Sequence, residues 1–305
     1  MSLTVPAEAV SYLVPDNSHL LDLKTRYANF NSQVTNPMHW VEGYIGDNDI
    51  LDFRGDNAYV WQLRGDNMNA GAYALTTYYL KSIDHLGLLD RLQEDGLFGV
   101  CTFEIAGRRV SRDLLDSITE ILFLEKHLQL SARDDLRILD IGAGYGRLAH
   151  RMLTALPNLQ RYLCADAMAV STFLSDYYLR FHGHGTRGQA VALDEIETVL
   201  PHAGVNLAIN IHSFSECRLP AIEWWLALLA QQGVEYLMLV LNANDHGGQQ
   251  LINNDGHDFS SIVATHGYRL VALEPKYRDP VVQAHAINPT WHHLYRLQPD
   301  GNNFA

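Results

Sequence analysis

The sequence predicts an α/β protein whose sheet is doubly wound and has seven strands, the last of them antiparallel. Short apolar segments alternate with helical patterns from about residue 133 onward. A cluster of glycines directly follows the first of these segments, whereas residues 1–132 carry mainly helical spacing. Strands that alternate with helices over short loops are typical of a parallel sheet covered by helices on both faces.

The predicted elements follow one another in chain order. Apolar segments predict strands at 136–141, 161–166, 188–193, 205–212, 235–242, 268–275 and 292–298. Helical spacing predicts helices at 146–157, 169–183, 220–233 and 259–267, the second of them ended by Gly183. No clear helical pattern joins the last two strands, so we expect them to pair as an antiparallel edge.

The first 132 residues form a mostly helical section in this interpretation. Helical spacing marks 72–96 and 111–128, where Ser111 is an N-cap candidate and Asp113 places an acid in the first turn. Residues 46–67 are rich in turn formers with aromatic side chains between them. The change of pattern near residue 130 predicts a division into 1–132 and 133–305, and the first section is a candidate substrate cap.

Composition and charge argue against several partners. The 305-residue chain has a formal net charge of −13, so we expect neither nucleic acid nor an anionic membrane surface as a partner. Its apolar runs are far shorter than the roughly 20 residues of a membrane span, and no export signal is visible. Three cysteines without a CxxC pair argue against a disulfide scaffold. We therefore expect a cytoplasmic protein whose oligomeric state stays open, a homodimer included.

The glycine cluster is the main functional motif. Within ILDIGAGYGRLAH (138–150) it reads Gly142-Ala143-Gly144-Tyr145-Gly146, and Asp166 follows the second strand 20 residues after Gly146. Ligands of open parallel sheets bind beside the first strand–helix turn, where an acid accepts hydrogen bonds from ribose hydroxyls. The spacing is GxGxG rather than the GxGxxG of dinucleotide-binding proteins, and a nicotinamide cofactor remains an alternative. Asp140, before the glycines, suits a cationic, amino-bearing ligand.

These residues resemble two motifs of the class I S-adenosylmethionine-dependent methyltransferases, which have a Rossmann-like fold. LDIGAGYG (139–146) is similar to their motif I and YLCADA (162–167) to their motif II. The resemblance covers 133–305 and implies S-adenosylmethionine as methyl donor. The donor-binding residues that we assign on this basis are Asp140, Gly142, Ala143, Gly144, Gly146, Asp166, Ala167, Asp194 and Asn210.

A narrower resemblance concerns the methyl acceptor. VSRDLLDSITEILFLEKHL, STFLSDYYLRF and INIHSFSEC, together with the glycine motif, resemble blocks of a bacterial sugar O-methyltransferase family over 110–225. This resemblance implies transfer to a hydroxyl of a sugar or glycosylated small molecule. An amine or phenol acceptor, or a protein that binds the donor without turnover, remains an alternative.

His212 is the candidate general base, because it ends the fourth predicted strand at the edge of the sheet where the acceptor would lie. A weakly nucleophilic hydroxyl benefits from a base, and histidine titrates near neutral pH. Glu216 could orient His212 or bind sugar hydroxyls. The alternatives are a hydrogen-bonded scaffold role for His212 and stabilisation of the following helix N-terminus by Glu216.

The loop after the fifth predicted strand supplies candidate acceptor-binding side chains. These are Asn242, Asp245 and His246, with Asn244 between them, although such residues are also ordinary turn formers. A magnesium ion would want several oxygen ligands, and only Asp245 with nearby asparagines is offered there. We therefore expect no metal dependence, with Mg²⁺ as the less favoured alternative.

Overall fold

The computed structural model describes residues 5–38, 40, 44–244 and 246–298. Its first part is mostly helical, as the sequence predicts. The elements of this part are α1 (Ala7–Tyr12), α2 (Ser18–Ala28), α3 (Ala70–Ile83), α4 (Leu88–Arg91), β1 (Phe103–Ile105), β2 (Arg108–Val110) and α5 (Arg112–Leu128). Residues 46–67 are turns apart from a 3₁₀ helix at Asp47–Ile50.

The second part alternates strands and helices. Its elements are β3 (Arg137–Ile141), α6 (Arg147–Ala155), β4 (Arg161–Ala165), α7 (Ala169–Phe181), β5 (Gly188–Ala190), α8 (Ile196–Ala203), β6 (Leu207–Ile211), α9 (Leu219–Gln231), β7 (Tyr236–Val240), α10 (Ser260–Thr265), β8 (Tyr268–Pro275), α11 (Pro280–His285) and β9 (Trp291–Leu297). Short 3₁₀ helices lie at Leu130–Ala132, Leu193–Glu195 and Ser213–Glu216.

The main sheet has the strand order β5-β4-β3-β6-β7-β9-β8. The strands from β5 to β7 pair in parallel, and β9 is inserted antiparallel to both β7 and β8. The chain winds outward from β3 in both directions, so the carboxyl end of β3 is the switch point where ligands bind in such sheets. The predicted fold class, a Rossmann-like doubly wound sheet of seven strands with an antiparallel last strand, is confirmed.

The structure corrects several predicted elements. β5 ends at Ala190, two elements of the second part have no predicted counterpart (α8 and α11), and the hairpin of β1 and β2 was not predicted. The connection before β9, expected without a clear helix, contains α11 because the side chain of Asp279 caps it and Pro280 occupies its first turn. A six-residue helix has too few turns to show a periodic pattern.

Helix α5 begins as the sequence predicts. The Ser111 hydroxyl accepts a hydrogen bond from the backbone N–H of Leu114 at 3.2 Å, and Asp113 follows in the first turn. The helix lies beside the sheet and is buried along most of its length. It therefore carries residues of the N-terminal section to the carboxyl edge of the strands.

The hydrophobic core is continuous across the predicted boundary at residue 132. One cluster contains Leu20, Phe53 and Phe98 of the first section together with Ile141 and Phe173 of the second. Buried ion pairs add to these contacts, as detailed below. The division into 1–132 and 133–305 stays a prediction from the sequence pattern.

No helix within the described residues is both long enough and apolar enough to cross a lipid bilayer.

Candidate active site

A cleft of about 950 Å³ opens at the carboxyl edge of the sheet. Its walls are the segments that follow β3, β4, β6 and β7, and the start of α5 contributes to the lining. Aromatic side chains of the N-terminal section complete the lining, namely Trp40, Tyr44, Tyr59 and Trp61. The glycine motif and the loop after β7 therefore border one continuous cavity.

The glycine loop turns sharply between β3 and α6. Gly142 has a φ of +74°, and a Cβ atom there would lie 2.2 Å from the Cβ atom of Ser213. Only glycine fits this position, because both the backbone conformation and the close contact exclude a side chain. Gly142, Ala143 and Gly144 line the cleft. Gly146 instead begins α6, and a Cβ atom there would lie 3.3 Å from the side chain of Ser175.

Asp166 holds the glycine loop from the end of β4. Its Oδ2 accepts a hydrogen bond from the backbone N–H of Gly144 at 2.9 Å, and its Oδ1 accepts one from Met168 N–H at 2.8 Å. Burial raises the pKa of this carboxyl to about 6, although the two N–H donors act in the opposite direction. The Ser171 hydroxyl is a third donor to this carboxylate, which has about four acceptor positions, so about one remains for a ligand hydroxyl. The adjacent Ala167 also lines the cleft.

Asp140 reaches the same cleft from the end of β3. It is 4% exposed, and its Oδ2 accepts a hydrogen bond from the hydroxyl of Tyr162 at 2.9 Å. Burial raises its pKa to about 7, and the hydrogen bond and the nearby Arg147 oppose this effect only in part. A bound cation would favour its ionised form.

His212 follows β6 in a backbone conformation that is rare for a residue with a side chain, with φ +65°. Its Nδ1 is buried without a hydrogen-bond partner among the described residues, and its Nε2 lies 3.5 Å from Nδ2 of Asn288. Burial, together with the charge of Arg112, lowers its pKa to about 3. The imidazole is therefore neutral at pH 7, and it lines the cleft.

Glu216 connects the N-terminal section to the ends of β6 and β7. Its carboxylate accepts hydrogen bonds from Nε1 of Trp40 at 2.5 Å and from Nδ2 of Asn242 at 3.3 Å. Its backbone carbonyl accepts one from Met38 N–H. No hydrogen bond between described residues joins Glu216 to His212, so the structure does not bring these two side chains together as a base and its orienting acid.

The loop after β7 lines the other half of the cleft. Asn242, Asn244 and His246 all face it, whereas Asp245 lies outside the described residues. The Nδ1 of His246 accepts a hydrogen bond from Gly248 N–H at 3.2 Å, so the ring carries its proton on Nε2. This nitrogen is buried and has no partner within the part of the chain that the structure describes. These side chains can donate hydrogen bonds to an acceptor molecule.

Two residues that we assigned to donor binding lie elsewhere. The carboxylate of Asp194 is held by the guanidinium of Arg26 at 2.8 and 2.9 Å. Asn210 is buried and connects two backbone segments. Its Nδ2 donates a hydrogen bond to Ile141 C=O at the end of β3, and its Oδ1 accepts one from Phe214 N–H after β6, both at 2.8 Å. Neither is among the described residues that line the cleft.

Among the cleft residues that sequence reasoning did not assign to the site are Arg112, Arg147 and Asn288. The sequence does contain an indication for Arg112. It places a cation in the first turn of a capped helix, where the helix dipole favours an anion, and such an unfavourable position can indicate a functional role. Asn288 gave no signal, since it lies 76 residues from His212, which it faces.

Within the described part of the chain, no group of three or more His, Cys, Asp or Glu side chains is arranged to hold a metal ion.

No family model matches the chain, and no curated protein matches it. Among solved structures it is similar to the [4+2]-cyclase SpnF, with a TM-score of 0.43 and 13% identity over 77% of this chain and 97% of that one. It is also similar to RosA, the N,N-8-amino-8-demethyl-D-riboflavin dimethyltransferase of Streptomyces davawensis, with TM-score 0.40, 18% identity and coverage of 61% and 58%. A third similar structure is an S-adenosylmethionine-dependent methyltransferase of Clostridium acetobutylicum. Its TM-score is 0.41, with 10% identity over 60% of this chain and 91% of that one. Similarities of this size do not identify an activity.

Proposed function

We propose that this protein transfers a methyl group from S-adenosylmethionine to a hydroxyl of a sugar or glycosylated small molecule. The donor would lie over the glycine loop between β3 and β4, and the acceptor beside the loop after β7. The donor supplies an electrophilic methyl group on a sulfonium. The protein's part is to hold the two molecules in line for displacement and to exclude water.

The two buried carboxylates on either side of the glycine loop carry this proposal. Asp140 and Asp166 end neighbouring parallel strands, and burial raises the pKa of both. Such groups are stabilised by a ligand that brings positive charge or hydroxyl donors. S-adenosylmethionine brings both: its ammonium would bind beside Asp140 and a ribose hydroxyl at the remaining acceptor position of Asp166.

The charge of the cleft disfavours a dinucleotide. Among the described residues, five acids and two arginines line it, namely Asp113, Asp116, Asp140, Asp166 and Glu216 against Arg112 and Arg147. A pyrophosphate would add two negative charges to this surface. It would also need loop N–H donors, and the N–H of Gly144 is already donated to Asp166.

The aromatic part of the cleft lining suits a polar acceptor with apolar ring faces. Trp40 lies 5.3 Å from Tyr44 and 5.2 Å from Tyr59, measured between ring centroids. Sugar rings stack on such aromatic faces. In the same cleft, Asn242 and His246 supply hydrogen-bonding groups for hydroxyls.

His212 is the residue placed to take the acceptor's proton. Its ring is neutral at pH 7, which the role requires, but a pKa of about 3 makes it a weak base. This observation favours a second candidate acceptor, a phenol or a neutral amine, whose reaction depends less on a base. In that case His212 would orient the acceptor instead.

Two measurements test the proposed function. Calorimetry with S-adenosylhomocysteine and with NAD should detect binding of the first only, and the reverse result would contradict donor binding. Incubation with S-adenosylmethionine and panels of sugars, phenols and amines should then give a product heavier by one methyl group. Donor binding without methylation of any acceptor would instead favour a non-catalytic role.

A further inference from the structure

A cluster of buried charges lies at the floor of the cleft, along one face of α5. Arg112, Asp116 and Glu120 follow one another at four-residue spacing, which places them on successive turns of that face. Asp116 accepts from Arg112 Nε at 3.1 Å and from the buried Nζ of Lys276 at 2.5 Å. Glu120 is paired with the guanidinium of Arg147 at 2.8 and 2.9 Å. The floor cluster therefore consists of three cations and two carboxylates.

The floor cluster has one cation in excess. Asp116 is ionised, because Lys276 and Arg112 hold its pKa at about 2 despite burial. Burial, with a smaller contribution from Glu120, raises the pKa of Asp140 beside this cluster, and Arg147 lowers it. Arg112 and Lys276 share the one carboxylate of Asp116, so this arrangement favours a ligand that brings a negative charge to the cluster and a positive one to Asp140.

One guanidinium in the floor cluster retains unused donors. The Nε of Arg112 donates a hydrogen bond to Asp116, and its Nη1 donates one to the backbone carbonyl of Trp61 at 2.5 Å. No hydrogen bond within the described residues involves its Nη2, and the side chain is 12% exposed where it lines the cleft. It also stands in the first turn of a 17-residue helix, where the dipole adds to its positive potential.

We propose that Arg112 binds the α-carboxylate of the methyl donor, while Asp140 binds its α-ammonium. This inference rests on the proposed function and extends it, because it assigns the recognition of the donor's amino-acid part to two side chains of opposite charge. Arg112 contributes a fixed planar donor group, which matches a carboxylate. The floor cluster thereby becomes a binding site for an α-amino-acid zwitterion.

The test compares two nucleosides by calorimetry on the full chain at about pH 8. S-adenosylhomocysteine carries the amino-acid part, and 5′-methylthioadenosine lacks it. Arg112→Met should weaken binding of S-adenosylhomocysteine by about 10- to 150-fold, the range for a lost charge-assisted hydrogen bond, and leave methylthioadenosine within about 2-fold. The matched control is Arg109→Met, which replaces a partly exposed arginine three residues earlier and should change neither affinity.

A modified ligand keeps the test independent of any folding defect in the variant. The α-carboxamide of S-adenosylhomocysteine should bind wild type about 10-fold or more weakly than the acid, and this difference should vanish in Arg112→Met. Equal loss for both nucleosides, or no loss, would overturn the assignment, as would an effect confined to the acceptor's KM. A wild-type chain that binds neither nucleoside would overturn the proposed function as well, so the two failures are distinguishable.

Discussion

Asparagine in place of Asp140 removes a buried ionisable group while keeping its size and its acceptor oxygen. Burial raises the pKa of Asp140 from its ordinary value of 3.8 to about 7. The unfolded chain therefore releases this proton at lower pH than the folded chain does. The stability that the protonated group provides is fully present below about pH 4, is lost as the pH rises towards 7, and stays lost above that.

The size of this effect follows from the two pKa values. A pKa that rises from 3.8 to about 7 corresponds to about 4 kcal/mol of folding free energy, at about 1.4 kcal/mol for each tenfold change in the ionisation constant. For a 305-residue chain, with an unfolding entropy of about 0.64 kcal/mol/K, this is about 6 °C in melting temperature. The Asp140→Asn variant does not lose this stability at high pH, because the amide does not ionise. It also keeps the hydrogen bond, since the Tyr162 hydroxyl can donate to the amide oxygen.

Thermal unfolding of both chains between pH 4 and 8, without ligand, measures this difference. We expect equal melting temperatures near pH 4 and a variant that is more stable by several degrees at pH 7 and above. Donor binding should change in the opposite direction, because the ionised acid is what attracts the ammonium. An Asp140→Asn chain that is equally or less stable at pH 8, or whose advantage does not grow with pH, would refute the reasoning.

Three further predictions concern other parts of the molecule. Arg54 is fully buried against three carboxylates, so Arg54→Met should destabilise the fold by about 3–5 kcal/mol and lower the melting temperature by about 5–8 °C. The control Arg64→Met removes an exposed ion pair of 3.7 Å and should cost at most about 1 kcal/mol in the same melting assay. Gly142→Ala should cost about 2–5 kcal/mol of folding stability, because the position has a positive φ and the new Cβ would contact Ser213. Adding Ser213→Gly should restore only the stability lost through that contact. Full recovery of stability would contradict the backbone argument. His212→Asn should lower turnover by about 10²–10⁴ and leave the affinity for S-adenosylhomocysteine unchanged. The wild-type rate should show no imidazole inflection between pH 6 and 8, because the pKa of His212 lies near 3. Near-full turnover of the variant would remove His212 from the mechanism.

The strands and helices that position the site were predictable where they are long and periodic. β3, β4, β6 and β7 are mainly apolar because helices cover both faces of the sheet, and this pattern is visible in the sequence. The hairpin of β1 and β2 and the six-residue helix α11 were not predicted. Elements of three to six residues carry too few side chains for a pattern, and their stability comes from the surfaces on which they pack.

The residues of the candidate site divide in the same way. Asp140, Gly142, Gly144 and Asp166 were found because each lies near the end of a predicted strand or directly after it, at the edge where parallel strands end. Asp194 has the corresponding position after β5, yet its carboxylate is taken by Arg26, which is 168 residues away in sequence.

The sequence by itself determined the fold class, the glycine turn and the two acids beside it. These features depend on the order of residues along one or two elements, which local patterns record. Only the tertiary structure decided the pKa values of these acids and the roles of their neighbours. His212 meets Asn288, Glu216 meets Trp40, and the floor cluster joins α5 to Arg147 and Lys276. Burial and charge pairing between distant segments produce these properties, because they depend on which groups exclude water from one another rather than on their spacing along the chain.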